Sequence, residues 1–274
     1  MIAWLVLLTA CYPLWRAWLA NRPTTLLQAV NWSVVAWAAW ACALVPGAAE
    51  TPAGVALVYL ALCLTGCGGV AVLGARRPGV AAWNFVLVGL LAVMLLPLAE
   101  SLIASRPLPL AGPRAVFLAG TLAVCLLNYL PTRLASAALV LAGACALEVI
   151  SLVDAGLLGS RQTFAVGLGP WLVALTPWLA YSSWRWRPPA AAEFDRLWLD
   201  FRDRFGLFWA QRLREQFNSS AAHAGWRVHL RWRGLRLEPG THLPEPGVQM
   251  AMVTTLRALM KRFGMDEGPE QGKT

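Results

Sequence analysis

The 274 residues of this chain are 58% hydrophobic and 14% charged, and 23 Lys and Arg residues outnumber 14 Asp and Glu residues. Soluble globular proteins usually carry about 25% charged residues, so this composition excludes an ordinary soluble globule and indicates an integral membrane protein. The basic residues stand beside apolar segments and alternate with acids, which favours membrane lipid over nucleic acid as their partner.

Apolar runs of about 20 residues, separated by Pro, Gly or Arg, are long enough to cross a bilayer as helices. We therefore predict an all-α polytopic membrane protein in which residues 1–183 form a bundle of about seven transmembrane helices. The run at 114–131 is the weakest, because Asn128, Pro131 and Arg133 shorten it, and whether it crosses fully stays open. The predicted spans are residues 2–20, 25–45, 54–74, 79–99, 114–131, 134–157 and 164–183.

No basic residue precedes the first apolar run, which favours a retained first span over a cleaved signal peptide. Residues 8–11, L-T-A-C, resemble the lipobox of bacterial lipoproteins, but the apolar run before them is short, so we interpret the match as a coincidence. All six Cys residues fall inside predicted spans. They are expected to pack as small apolar side chains, without disulfides and without a metal.

Residues 181–187, Y-S-S-W-R-W-R, mark the end of the bundle, and an interfacial linker is predicted at 184–190. Trp suits the headgroup layer and Arg suits the cytoplasmic side of a membrane. Basic residues in the predicted loops favour the side of the tail, so we expect the N-terminus outside and the C-terminus in the cytoplasm. The Arg-dominated, Ala-, Leu- and Trp-rich residue usage suggests a bacterial chain, and hence the inner membrane. The loops on the tail's side hold Arg22, Arg76, Arg77 and Arg133.

The remainder, 191–263, is predicted to be a small α+β cytoplasmic domain of helix, strand and helix, and residues 264–274 are predicted to be disordered. Its first helix, 194–217, carries a stripe of large aromatic side chains that must be buried against the membrane surface, the rest of the tail or another protein. We interpret this aromatic stripe as an interaction face. It consists of Phe194, Trp198, Phe201, Phe205, Phe208 and Trp209.

Alternation of apolar and basic residues in the segment 226–237 predicts a single strand with one apolar and one basic face. A lone strand is not stable, so a protein partner or a second copy of the chain is expected to complete the sheet. A last helix is predicted at 246–263. The basic strand face consists of Arg227, His229, Arg231 and Arg233.

Glu148 lies well inside the sixth predicted span, and an ionisable residue at that depth suggests a site for a proton or a cationic substrate. Ser151 and Asp154 continue the same side of the helix. Asn128, on the preceding span, is a further polar residue that could line the same path. The alternative is structural, with Glu148 hydrogen-bonded to Asn128, Asn84 or Asn31 on a neighbouring helix.

No catalytic or cofactor motif is apparent. All three His residues lie in the tail and residues 1–182 contain no Lys, which disfavours a membrane-embedded haem, metalloprotease or retinal site. We therefore predict a non-enzymatic anchor or scaffold without a cofactor, whose basic, aromatic tail binds a protein partner, another copy or anionic lipid. The alternative is a small secondary transporter or channel that uses Glu148.

Overall fold

The structure is a computed structural model with eleven α-helices in its described part. In chain order the helices are α1 (Ile2–Thr9), α2 (Cys11–Asn21), α3 (Leu27–Ala43), α4 (Pro52–Ala71), α5 (Val80–Met94), α6 (Leu96–Ala104), α7 (Pro113–Tyr129), α8 (Ala135–Val153), α9 (Gln162–Arg185), α10 (Glu193–His223) and α11 (Pro246–Met260). It describes residues 1–48, 51–105, 108, 110, 112–153, 162–186, 192–240 and 245–265.

Some predictions concern residues outside these ranges, including parts of the predicted span 134–157 and of the predicted domain 191–263. Asp154 lies outside the described residues altogether. The interfacial linker 184–190 is described only as far as residue 186, and the segment predicted to be disordered is described only to residue 265.

Four helical segments are long and apolar enough to cross a membrane: Ile2–Asn21, Pro52–Gly74, Ala81–Ala104 and Ala135–Val153. They are compatible with membrane insertion, whereas the predicted number of seven spans is not confirmed. The helices α3 and α7 contain 17 residues each. At 1.5 Å per residue such a helix is about 25 Å long, which is shorter than the hydrocarbon layer of a typical bilayer.

Two of these segments are interrupted. The first breaks at Ala10 between α1 and α2, and the third breaks at Leu95 between α5 and α6. Pro13 and Pro97 lie in the first turn of the helix that follows each break. The first N–H groups of a helix have no intrahelical acceptor, so proline costs little there while preventing continuation from the preceding helix.

Small residues let α4 pack closely against its neighbours. A Cβ on Gly69 would lie within 1.8 Å of the Cys125 sulfur atom on α7, so a larger residue does not fit. Thr65, one turn earlier, accepts a hydrogen bond from the indole N–H of Trp40 on α3 at 3.0 Å. The helix α4 therefore lies at the centre of the described bundle.

The tail contains a hairpin where the sequence predicted one strand. Strand β1 (Val228–Arg231) pairs antiparallel with β2 (Gly234–Leu237), and the two-residue connection is Trp232 and Arg233. Gly234, with φ of 132°, supplies a backbone conformation that other residues rarely adopt. The prediction of a single strand is therefore wrong, because Gly234 folds the segment back and the chain pairs with itself.

The tail packs directly on one end of the bundle. One apolar cluster contains Leu26 and Val72 of the bundle together with Trp198 and Phe205 of α10. Backbone hydrogen bonds join residues 25 and 263 at 3.1 Å, and residues 77 and 262 at 2.9 Å. The connections 22–26, 75–79 and 130–134 therefore lie at a single end of the bundle, which we call the tail-bearing end.

Candidate functional site

The aromatic stripe is mostly covered from within the chain. Trp198, Phe201 and Phe205 are fully buried, and Phe194 is 6% exposed. Trp209 is half-buried, and its indole N–H donates to the carbonyl of Val72 at 3.0 Å. These side chains belong to the apolar cluster that joins the tail to the bundle. Of the six residues, only Phe208, which is 47% exposed, presents a large apolar surface to solvent.

Asn128 is fully buried where α7 meets a break in α10. The break is at Gly206, whose φ of 75° and ψ of −170° are not helical. Oδ1 of Asn128 accepts a hydrogen bond from the backbone N–H of Phe208 at 3.2 Å, while its Nδ2 has no partner among the described residues. Asn128 therefore joins the tail to the bundle.

Asp203 forms a buried ionic centre that the sequence analysis did not find. Its carboxylate accepts hydrogen bonds from Nε and Nη2 of Arg202 at 2.9 and 2.7 Å, and lies 3.1 Å from Nε of Arg133. Arg133 belongs to the connection between α7 and α8, so the centre joins tail and bundle. The sequence does contain a signal for this centre, because Asp203 stands between two Arg residues in a helix whose aromatic residues cover a wide face.

Glu148 is not bonded to any of the three Asn residues proposed as its partners. Those side chains accept hydrogen bonds elsewhere: Asn128 from Phe208, Asn84 from Trp32 and Asn31 from Trp18. The Glu148 carboxylate instead packs on the α9 backbone, where a Cβ on Gly169 would lie 2.4 Å from its Oε1.

Of the predicted intramembrane polar residues that the structure describes, Glu148 and Ser151 are neighbours on α8, whereas Asn128 lies apart from them. Ser151 donates its hydroxyl to the carbonyl of Glu148 within α8 at 2.8 Å, so its polar group is satisfied locally. Asn128 lies at the tail-bearing end, whereas Glu148 is about 20 Å along α8 from that end, counted from Ala135 at 1.5 Å per residue. Asp154 is not among the described residues.

The basic strand face lies in solvent as one side of the hairpin. Arg227, His229 and Arg231 alternate with the buried residues Val228 and Leu230, as strand geometry requires. Arg233, in the turn, is also exposed. Arg236 on β2 pairs with His229 and adds another cation to the same face.

Both outer edges of the hairpin are closed by side chains of α10. Asn218 accepts from the N–H of Leu230 at 2.7 Å and donates to its carbonyl at 3.1 Å. On the other edge, Asp195 accepts from the N–H of Leu235 at 2.9 Å. These contacts stabilise the hairpin from within the chain, and the binding of a protein partner or a second copy stays a prediction.

A surface pocket of about 850 Å³ opens between this basic face and α10. We call it the hairpin pocket. Of the described residues that line it, Glu215 is the acidic one, and Gln211 donates to its carboxylate at 2.6 Å. Its charged lining consists of Arg214, Glu215, His229, Arg231, Arg233 and Arg236.

The charge of the hairpin pocket is largely unbalanced. His229 contacts Glu238 at 3.2 Å, but within the described part of the chain none of the four lining Arg side chains forms an ion pair. Guanidinium groups bind carboxylates and phosphates through paired hydrogen bonds. The arrangement can therefore hold an anion. No group of three or more His, Cys, Asp or Glu residues in the described part is placed to hold a metal.

Comparisons of the chain with protein-family models, with curated proteins and with solved structures give no match.

Proposed function

We propose that this protein is a non-enzymatic membrane scaffold that holds a basic binding surface against the cytoplasmic face of the bacterial inner membrane. In this proposal seven helices span the membrane, with the N-terminus outside and the C-terminus in the cytoplasm. The basic residues of the connections at the tail-bearing end support this orientation by the positive-inside rule. The ligand is a protein partner, a second copy of the chain or anionic lipid.

The observation that carries the proposal is that one face of the tail is buried and the other, basic face is exposed. The aromatic stripe is mostly buried in the apolar cluster that joins the tail to the bundle, and this cluster supports a fixed position of the tail. The basic face of the hairpin remains in solvent, and its Arg side chains form no ion pair within the described part of the chain. A cationic surface held in a fixed position at the end of a membrane bundle attracts anionic partners and orients them.

The test is affinity purification of the full-length protein from native membranes, with mass spectrometry of the proteins and lipids that accompany it. The variant Arg231→Gln/Arg233→Gln/Arg236→Gln removes three cations from the hairpin pocket. The matched control, Arg196→Gln/Lys261→Gln/Arg262→Gln, removes three exposed cations from elsewhere in the tail. We expect the pocket variant to lose a companion that the wild type and the control both retain.

Identical companions for all three forms would contradict the proposal. The orientation has its own test: a reporter active only in the cytoplasm, fused to the C-terminus, should be active. An inactive cytoplasmic reporter together with an active periplasmic one would reverse the proposed topology.

A second candidate, a small secondary transporter or channel, rests on Glu148. Its carboxylate lies against the α9 backbone beside Pro170, in a helix that also contains Pro177, and such helices bend. Glu148→Gln should then abolish proton flux into liposomes, followed with a pH-sensitive dye, and leave the companions of the purified protein unchanged. Equal flux for wild type and Glu148→Gln would remove this candidate.

A further inference from the structure

We propose that the hairpin pocket binds the headgroup of an anionic phospholipid that carries more than one negative charge. The inference rests on the proposed function, because it names one ligand for the surface that the scaffold presents. Its basis is the charge of the pocket, its size and its position at the tail-bearing end.

The charge of the pocket fits a multiply charged phosphate. Four guanidinium groups, those of Arg214, Arg231, Arg233 and Arg236, surround a space whose described acidic lining is Glu215. The carboxylate of Glu215 is already engaged by Gln211. A phosphate group offers several acceptor oxygens to the forked donors of Arg, and each such charge-assisted bond is stronger than a neutral one. A ligand with a single negative charge would leave most of these cations without a counter-ion.

The size of the pocket favours a phosphate that is part of a larger molecule over a free phosphate ion. About 850 Å³ lies in the upper part of the range of small-molecule sites, which is roughly 300–1,000 Å³, whereas inorganic phosphate is far smaller. The pocket is also open on one side, as a site for the head of a longer molecule must be.

The position of the pocket favours a lipid as the source of the phosphate. Trp232 lines the pocket, and its indole N–H donates to the carbonyl of Pro131 at 2.7 Å, just beyond α7. Two apolar side chains near that end of α7 are exposed, Leu130 by 41% and Leu127 by 51%. An acyl chain lying on α7 would therefore bring its headgroup to the pocket, with Trp232 at the headgroup layer that suits this residue.

The experiment uses purified full-length protein in detergent and native mass spectrometry of lipid binding. The probes are phosphatidic acid, which has a phosphate monoester, phosphatidylglycerol, which has a single charge, and zwitterionic phosphatidylcholine. We expect phosphatidic acid to bind about tenfold more tightly than phosphatidylglycerol, and Arg231→Gln/Arg233→Gln/Arg236→Gln to weaken that binding by at least about tenfold. The control Arg196→Gln/Lys261→Gln/Arg262→Gln should bind as the wild type does.

Equal affinity of the pocket variant and the control would overturn the inference, and so would equal binding of phosphatidylcholine and phosphatidic acid. Competition with inorganic phosphate distinguishes a lipid from a soluble anion as the source of the bound phosphate. If it displaces phosphatidic acid at concentrations equal to those of the lipid, the site is a soluble-anion site and the lipid assignment fails. The substituted side chains are exposed, so both variants should unfold at the wild-type temperature.

The inference and the proposed function can fail separately. Absence of lipid binding in detergent, together with loss of a protein companion from the pocket variant in native membranes, would reject the lipid and retain the scaffold. Unchanged lipid binding and unchanged companions for the pocket variant would reject both.

Discussion

Gly206 divides α10, and its backbone conformation is one that glycine adopts readily and other residues do not. A Cβ at this position would also lie 2.3 Å from Nδ2 of Asn128. Gly206→Ala must therefore strain the backbone and push Asn128 away from the N–H of Phe208. We expect it to lower the free energy of unfolding by about 1–3 kcal/mol. Thermal unfolding of the full-length protein in detergent measures this change.

Gly120→Ala is the matched control for that substitution. Gly120 lies in α7, the helix that carries Asn128, and nothing lies within 4 Å of the Cβ that alanine would add. Alanine is the better helix former, so the control should leave stability unchanged or raise it by less than about 1 kcal/mol. Equal unfolding temperatures for the two variants would mean that the break at Gly206 does not matter for docking.

Asp203 is the charged residue whose loss should cost most in the tail. Asp203→Ala leaves Arg202, whose side chain is 9% exposed, and Arg133 without their shared counter-ion. Removing one partner of a buried ion pair is strongly destabilising, and we expect about 3 kcal/mol, the lower end of the usual range because Arg133 is 21% exposed. Denaturant unfolding followed by Trp fluorescence would measure it.

Glu193→Ala provides the comparison for Asp203→Ala. Glu193 pairs with Arg257 at the surface, where the side chains are 46% and 53% exposed. Solvent screens such a pair, so its loss should cost less than about 1 kcal/mol. Comparable losses for the two variants would show that the centre around Asp203 is not a stabilising connection between tail and bundle.

Local spacing in the sequence indicates one of the ion pairs in the tail. Asp200 and Arg204 stand four residues apart in a helical pattern, and the structure places their charged groups 3.0 Å apart. The bond from Asn128 to Phe208 and the contact of Asp203 with Arg133 have no such local signal, because these partners lie 80 and 70 residues apart in the chain. Periodicity shows which face of an element is apolar, but it does not show what covers that face.

The hairpin depends on Asn218, whose side chain replaces a neighbouring strand at the edge of β1. Asn218→Ala leaves both the N–H and the carbonyl of Leu230 without these bonds. We expect hydrogen exchange at the Leu230 amide to become at least about tenfold faster, since a lost buried hydrogen bond costs about 1–3 kcal/mol. Hydrogen exchange followed by NMR or mass spectrometry would detect this change.

Gln216→Ala is the control for Asn218→Ala, because Gln216 is an exposed residue on the same helix and its side chain makes no described hydrogen bond. It should leave the exchange of Leu230 unchanged. Unchanged exchange in Asn218→Ala as well would indicate that the edge of β1 is protected by something other than this amide.

The alternation of residues 226–237 indicated extended structure correctly but concealed its division into two strands. Val228 and Leu230 occupy even positions before the turn, whereas Leu235 and Leu237 occupy odd positions after it, so the alternation changes phase at Gly234. Gly234 was the available signal, since Gly beside a polar residue often marks a hairpin. The edge contacts of Asp195 and Asn218 have no such signal, because they depend on how α10 lies against the sheet.

At the scale of the whole molecule, composition was enough to indicate a membrane protein, and four helices of suitable length and apolarity are compatible with it. The number of spans was harder to predict. Apolar runs in sequence do not reveal where a helix ends, as α3 and α7 show by ending after 17 residues each. The docking of the tail was not predictable either, because its aromatic stripe matches equally well a membrane surface, a partner protein and the end of its own bundle.

If tail and bundle are one cooperative unit, a substitution in their shared core should loosen both. Phe263 is 5% exposed, and its ring packs against Phe201, Phe205 and Trp209 with centroids 4.9, 4.9 and 5.2 Å away. Phe263→Ala should cost about 3–5 kcal/mol through the cavity that it leaves.

Because the backbone carbonyl of Phe263 also accepts from Thr25, the loss should reach the bundle. Hydrogen exchange should become faster in residues 22–30 and 72–79 as well as in α10. Phe208→Ala is the matched control, since it removes an aromatic ring that is 47% exposed and should change stability by less than about 1 kcal/mol. Faster exchange confined to the tail in Phe263→Ala would mean that the tail opens independently and that the scaffold does not hold the hairpin pocket in a fixed place.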